Sequence, residues 1–123
     1  AQICCLVQAE TVTAMQNLDA IATTPGVDGV FIGPADLSAS MGHPGNPMHP
    51  DVQAMIAQAI ARILKAGKAP GILSTSEAQA RQWLAAGARF VAVGADTIVL
   101  VNGATQLLKT FRADTAAQGS SSY

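Results

Sequence analysis

The sequence predicts an α/β protein built on a parallel sheet, and the order and composition of its apolar segments carry that prediction. Short apolar runs alternate with segments of helical periodicity, four times along the 123 residues. These runs are apolar on both faces, which is typical of parallel strands covered by crossover helices. Four βα units are half of a (β/α)8 barrel, which normally needs about 250 residues. A doubly wound open sheet is the alternative that the pattern alone leaves open.

Each strand and helix has its own local signal. Thr11 is a candidate N-cap, Ser74 with Glu77 resembles a capping box, and Gly67 and Gly87 are typical helix ends. A long loop rich in glycine and proline is expected over residues 33–50. We expect strands over residues 3–8, 29–32, 70–73 and 90–93, and helices from Thr11 to about Ala22, from Pro50 to Gly67, from Ser74 to Gly87 and from Thr97 to about Arg112.

The composition excludes several functional classes. Half of the residues are hydrophobic and only 12% are charged, which is apolar for a small domain with much surface to cover. No run approaches the roughly 18–20 apolar residues of a membrane span. A net charge of −1 provides no electrostatic footprint for nucleic acid. We therefore expect burial against a partner, and also that residues normally precede Ala1, since the chain opens directly into a strand.

Cys4 and Cys5 are adjacent, which is neither disulfide nor zinc-finger spacing. Buried, inert thiols are the expected state of both. That cysteine usage and the lack of a secretory signal predict a cytoplasmic protein.

Two carboxylates, Glu10 and Asp36, follow the first two predicted strands. Ligands gather at the carboxyl ends of parallel strands, and carboxylates held together there need a cation such as Mg²⁺ or Mn²⁺. Other interpretations weigh equally at this point. Glu10 could be an acid at a helix N-terminus, and Asp36 an Asx-turn or capping residue.

Five other polar residues are better explained by a structural role than by a catalytic or metal-binding one. His43 and His49 lie in the long loop, where a base or ligand could sit, but solvated loop histidines are the better interpretation. Asp96 follows a strand and is expected to cap the last helix. Lys65 and Lys68 flank the C-terminal end of a helix, where the helix dipole favours cations. Neither lies in a strand, so a Schiff-base role is not supported.

Four segments, in order and at compatible spacing, resemble the metal-dependent class II pyruvate aldolases. The resemblance covers about residues 2–112. The segments that carry it are Cys5-Leu6-Val7-Gln8-Ala9-Glu10-Thr11, Gly29-Val30-Phe31-Ile32-Gly33-Pro34-Ala35-Asp36-Leu37-Ser38, Lys68-Ala69-Pro70-Gly71-Ile72-Leu73 and Phe90-Val91-Ala92-Val93-Gly94-Ala95-Asp96.

The resemblance implies a role for each candidate site residue. Glu10 and Asp36 match the two protein ligands of a divalent ion, Mg²⁺, Mn²⁺ or Co²⁺. Gln8 matches a residue that contacts the bound 2-oxo acid. The amides from Gly33 to Asp36, that of Ala35 foremost, match those that receive the substrate carboxylate. Leu73 matches a position that lines the aldehyde side of the pocket.

The resemblance also implies an activity, the divalent-metal-dependent retro-aldol cleavage of 4-hydroxy-2-oxoheptanedioate to pyruvate and succinate semialdehyde. No residue here matches the family's catalytic histidine and arginine, which the family carries in the first half of its barrel. Residues 1–112 are therefore expected to be the C-terminal half-barrel of a homo-oligomeric lyase, and residues 113–123 a flexible tail. The alternatives are a 2-keto-3-deoxy sugar-acid aldolase and a non-catalytic half-barrel with an assembly role alone.

Overall fold

The computed structural model describes the backbone of residues 3–118 and the side chains of residues 3–112. The described chain divides into two compact units, and the boundary along the sequence falls between Val93 and Gly94. The first unit holds a parallel four-stranded sheet with the strand order β1-β2-β3-β4. Its elements are β1 (Leu6–Ala9), α1 (Val12–Gln16), α2 (Leu18–Thr23), β2 (Gly29–Ile32), α3 (Pro34–Ser40), α4 (Pro50–Lys65), β3 (Ala69–Leu73), α5 (Glu77–Ala85) and β4 (Phe90–Ala92).

The prediction of an α/β protein with a parallel sheet is confirmed. β2 has the predicted bounds, and β3 and β4 differ from prediction by one residue. β1 begins three residues later than expected, at Leu6, because its first partner in β2 is Gly29.

Cys4 and Cys5 are free and exposed, so the prediction of buried thiols is wrong. Both residues precede β1, where the sheet no longer covers them. The Cys5 N–H donates to the Asp28 carboxylate over 2.7 Å, and the Cys5 carbonyl accepts from the Asp28 N–H over 2.9 Å. These hydrogen bonds fix the backbone of Cys5 but leave the side chain outside the core.

The helix predicted from Thr11 to Ala22 is broken at Asn17 into α1 and α2. The predicted cap is confirmed, since the Thr11 hydroxyl accepts from the Ala14 N–H over 3.1 Å. The break occurs where the Asn17 side-chain amide donates to the Thr13 carbonyl and the Arg62 guanidinium donates to the Met15 carbonyl. Side-chain hydrogen bonds of this kind compete with the helix ladder.

The segment predicted as a loop over residues 33–50 contains the helix α3. Gly33 is its N-cap and Pro34 its first residue, a position where proline costs nothing because the first-turn N–H lacks a partner anyway. The prediction of a loop is therefore wrong for residues 34–40, where the glycine and proline content has a second meaning. It marks the start of a helix as well as the turns after it.

The predicted capping box at Ser74 is wrong. α5 begins at Glu77, with Ser76 as its N-cap, so Ser74 lies two residues too early. The predicted ends at Gly67 and Gly87 are correct, with φ of 72° and 103°. Such values suit glycine because it has no Cβ.

The two faces of the sheet have different surroundings. Alternate strand residues face the helices and form the core together with Trp83 and an apolar stripe on α4. The stripe consists of Val52, Ile56, Ala59, Ile60 and Ile63. The opposite face carries Gln8, Phe31 and Phe90, and the two phenylalanine rings lie 5.5 Å apart between centroids. Phe90 is 51% exposed. Within the first unit, the helices thus cover one face of the sheet and leave the other open.

The second unit is the helix α6, Asp96–Gln118, whose backbone continues past the predicted end at Arg112. Residues 119–123 of the predicted tail lie outside the described residues. The Asp96 carboxylate accepts from the Thr97 N–H over 2.8 Å, at the start of the helix where a capping role was expected. Within residues 3–118, no helix is long and apolar enough to cross a membrane.

Candidate functional site

Four of the predicted site residues share one face of the sheet near its carboxyl end. The register pairs Ala9 with Ile32 and Ile32 with Ile72. One residue further along, Glu10 lies beside Gly33, and Leu73 follows Ile72 at the end of β3. Gln8 points to the same face, two residues before Glu10, because side chains alternate along a strand.

Glu10 is held from two sides. The Gln8 amide Nε2 donates to the Glu10 Oε2 over 2.6 Å. A Cβ on Gly33 would lie only 2.5 Å from that same oxygen and 3.0 Å from the Glu10 Cβ. The half-buried Glu10 carboxylate therefore occupies space that only a glycine at position 33 leaves free.

Asp36 enters from the first turn of α3, three residues after Gly33. Its side chain is exposed. The N–H groups of Ala35 and Asp36 also belong to this turn, so they have no acceptor inside the helix. The turn itself is fixed from below, because the buried Ser38 donates its hydroxyl to the Ala35 carbonyl over 2.7 Å.

One contact of this region has no signal in the sequence. The Val12 N–H, at the start of α1, donates to the Ser40 Oγ at the end of α3 over 3.0 Å. It ties the segment that follows Glu10 to the helix that carries Asp36. The two residues are 28 positions apart, and only the folded sheet brings them together.

The donor set suits a hard divalent cation. Carboxylate oxygens are the ligands that Mg²⁺ and Mn²⁺ prefer, and the Gln8 amide orients one of them. Leu73 is 40% exposed at the end of β3, on the sheet face that carries Gln8.

A second polar cluster was not expected. His43, His49 and Asp51 each offer a ligand atom, and these atoms all lie within 4.8 Å of one another. The two imidazole rings stack with centroids 3.5 Å apart and planes 11° apart. The histidine side chains are 29% and 31% exposed, so both keep contact with solvent in the segment before α4, but they also contact each other. Three prolines and two left-handed glycines in this segment signalled turns, but not which side chains meet.

Comparison with known proteins decides the family. Residues 1–103 match the family described as HpcH/HpaI aldolase/citrate lyase. The chain belongs to this family. The predicted resemblance to pyruvate aldolases is thereby confirmed.

Relatives within the HpcH/HpaI family agree in sequence and in structure. The chain is 58% identical over 116 residues to a 4-hydroxy-2-oxo-heptane-1,7-dioate aldolase of Shigella sonnei. It is 56% identical over 121 residues to a hydroxypyruvate/pyruvate aldolase of Pseudomonas aeruginosa. A crystal structure of a family member from Burkholderia cenocepacia superposes with a TM-score of 0.85 at 42% identity, covering 90% of this chain and 43% of that one.

The chain spans less than half the length of these HpcH/HpaI relatives. The matches cover 94% and 98% of the chain, but 44% and 45% of the two aldolases.

Proposed function

We propose that the whole protein is a divalent-metal-dependent aldolase that cleaves a 4-hydroxy-2-oxo diacid, 4-hydroxy-2-oxoheptanedioate, to pyruvate and an aldehyde. The observation that carries this proposal is the 58% identity to the Shigella aldolase across nearly the whole chain. The site geometry supports it, because Gln8, Glu10 and Leu73 share one sheet face beside the α3 turn.

In this proposal Glu10 and Asp36 hold the metal ion. When bound, the ion supplies Lewis-acid stabilisation of the negative charge that develops as the carbon–carbon bond breaks. Gln8 keeps the Glu10 carboxylate in place and offers its amide to the 2-oxo acid. The first-turn N–H groups of Gly33, Ala35 and Asp36 receive the substrate carboxylate, since they need acceptors from outside the helix. Leu73 borders the side where the aldehyde departs.

The general base and a charge-stabilising arginine come, in this proposal, from a second half-barrel. Such a half would cover the open sheet face and pair with the outer edges of β1 and β4. The complete enzyme is then a (β/α)8 barrel, and a homo-oligomer like its family. The exposed thiols of Cys4 and Cys5 suit a reducing compartment, and we assign the enzyme to the cytoplasm.

A second candidate reaction has its own support. The 56% identity to a hydroxypyruvate/pyruvate aldolase favours a related enzyme that accepts hydroxypyruvate beside pyruvate. Both candidates use the same metal and the same carboxylate-binding turn. They differ in the 2-oxo acid that adds to the aldehyde. Comparing pyruvate with hydroxypyruvate in the condensation direction therefore separates the two candidates.

The metal site is tested by titrating Mn²⁺ into the full-length protein calorimetrically. Glu10→Gln and Asp36→Asn each remove one anionic ligand at nearly constant volume, so both should weaken Mn²⁺ binding and nearly abolish cleavage. Glu77→Gln and Asp96→Asn are the matched controls, because they make the same changes at exposed carboxylates elsewhere. Unchanged affinity in both site variants would remove the basis of the proposal. If the unsubstituted full-length protein binds Mn²⁺ but shows no cleavage, a non-catalytic protein with an assembly role alone is favoured.

A further inference from the structure

The segment between α3 and α4 carries a group of ligand atoms that differs in chemistry from Glu10 and Asp36. His43 Nε2 lies 4.0 Å from the Asp51 Oδ2, and His49 Nδ1 lies 3.7 Å from the same oxygen. The chain contains only these two histidines, and both are in this group. Two nitrogens and one carboxylate oxygen suit a borderline metal such as Zn²⁺, whereas all-oxygen sites suit Mg²⁺ and Mn²⁺.

We propose that His43, His49 and Asp51 form a binding site for a transition-metal ion of the Zn²⁺ class. This inference does not depend on the proposed aldolase activity.

The backbone around the site is already ordered by hydrogen bonds. The His43 N–H donates to the Ser38 carbonyl over 2.8 Å, and the His49 N–H donates to the Asn46 carbonyl over 3.1 Å. Gly42 and Gly45 adopt left-handed φ values of 84° and 73°, which turn the chain back on itself. The two histidines are thus brought together before any ion arrives, and little backbone entropy remains to be lost on binding.

The spacing of the ligand atoms is close to what one ion needs. Two ligands at about 2.0–2.2 Å from a tetrahedral zinc lie about 3.3–3.5 Å apart. The separations of 4.0 Å and 3.7 Å, with all three ligand atoms within 4.8 Å of one another, therefore require movements of about 0.3–1.5 Å. The stacked rings must also turn out of parallel, because the lone pair of each nitrogen lies in the plane of its own ring. Closing the site on an ion therefore needs side-chain rotation and release of the hydrogen bond that the His49 Nδ1 accepts.

A bound ion would connect the start of α4 to the segment that precedes it. His49 is the N-cap of α4. Its Nδ1 accepts from the Asp51 N–H over 3.3 Å, and a bound ion would replace that N–H on the single Nδ1 lone pair. Asp51 belongs to the first turn of the same helix, while His43 comes from the preceding turn segment. An ion shared by the three residues would fasten that segment, which leads back to α3, onto the start of α4.

The test is a calorimetric titration of Zn²⁺ into the full-length protein, free of any histidine tag. Cys4→Ser, Cys5→Ser, Glu10→Gln and Asp36→Asn form the background, so that thiols and the other carboxylates do not contribute. We expect one zinc per chain through this site. His43→Asn, His49→Asn and Asp51→Asn should each weaken zinc binding by more than about tenfold, because even second-shell losses cost about 10–100-fold. Asp96→Asn should leave zinc affinity unchanged.

The choice of asparagine separates binding from folding. Asparagine is a strong N-cap, so His49→Asn keeps the start of α4 intact while removing the imidazole. Co²⁺ in place of Zn²⁺ gives a second measurement, since visible absorption bands of the ion report nitrogen ligation without any change in the histidines. Failure of the background protein to bind Zn²⁺, or equal binding after either histidine is replaced, would overturn the proposal.

Discussion

Gly33 has no side chain at the point where the Glu10 carboxylate lies. A methyl group there would lie 2.5 Å from the Glu10 Oε2, although the φ of −98° suits any residue. Gly33→Ala should therefore fold and yet displace Glu10, weakening Mn²⁺ binding by about 10–100-fold. Calorimetric titration measures that loss.

Gly103→Ala is the matched control for Gly33→Ala, because nothing lies within 4 Å of a Cβ at position 103. Alanine in this helix should leave metal affinity unchanged and add about 0.5–1 kcal/mol to helix stability. Wild-type affinity in Gly33→Ala would show that Glu10 is not held in the way its contacts indicate.

In the proposed enzyme, Leu73 borders the aldehyde side of the pocket, and its exposed side chain contributes little to the core. Leu73→Ala should change the preference among acceptor aldehydes while pyruvate binding stays nearly the same. Since the side chain is 40% exposed, its loss should cost less than the about 2–5 kcal/mol typical of a buried leucine. Kinetics across a panel of aldehydes, beside a thermal unfolding curve, measure both effects. An unchanged preference in a folded variant would remove Leu73 from the aldehyde site.

At the scale of the residue, the sequence predicted positions better than contacts. Glu10 and Gln8 could be placed at a strand end because apolar runs define the strand. That the Gln8 amide holds the Glu10 carboxylate, and that Ser40 holds the N–H of Val12, depends on register and on elements far apart in sequence. The partnership of His43 with His49 depends on two left-handed glycines, whose φ the sequence suggests only as a turn.

The helices α1, α2 and α4 are joined by one side chain. The Arg62 Nε donates to the Asp19 carboxylate over 2.9 Å, and its Nη1 donates to the Met15 carbonyl over 2.8 Å. The hydrogen bond from Arg62 lowers the pKa of Asp19, against a raising effect of desolvation and with smaller help from the charges of Arg62 and Lys65. The ionised form of Asp19 is therefore favoured in the folded chain.

The ion pair between Arg62 and Asp19 predicts that the free energy of unfolding depends on pH. A carboxyl with a lowered pKa stabilises the fold above its unfolded pKa, near the ordinary 3.8, and loses that effect as pH falls through its folded pKa. Asp19→Asn should thus destabilise the protein at neutral pH and have no effect in strong acid. Urea unfolding at several pH values measures the difference, which salt should reduce because Asp19 is 73% exposed.

Glu77→Gln is the control for Asp19→Asn, because its partner Arg81 lies in the same helix and both side chains are exposed. It should change stability less. An equal loss in the two variants, or a loss in Asp19→Asn that persists in strong acid, would show that Arg62 does not act through the Asp19 charge.

At the scale of the element, periodicity predicted best where local signals agree. α4 has a proline start, an apolar stripe and a glycine end, and its bounds were predicted closely. α3 was missed because its seven residues are too short for a periodic pattern. The break at Asn17 could not be predicted, since it coincides with hydrogen bonds from Asn17 and from Arg62 on another helix.

At the scale of the whole molecule, the described residues leave much apolar surface uncovered. The open sheet face exposes Leu6, Leu73 and Phe90, and the α6 helix exposes a long series of large apolar side chains. The members of that series are Ile98, Val99, Leu100, Val101, Leu107, Leu108 and Phe111. Half of the sequence is hydrophobic, and this exposure shows why composition alone already suggested a partner.

Residues 1–123 alone should be inactive and should not form a stable monomer. Within the described chain, β1 and β4 each pair with only one neighbour, and unpaired strand edges invite association. An exposed apolar surface of this kind causes aggregation unless another chain or domain buries it. Size-exclusion chromatography with light scattering should therefore show aggregates, or recovery only together with a second half-barrel in a larger oligomer. A pyruvate-release assay on the same fractions measures activity. A well-behaved 12.5 kDa monomer would refute this account of stability, and activity in that monomer would require a base within the chain, with His43 the first residue to replace.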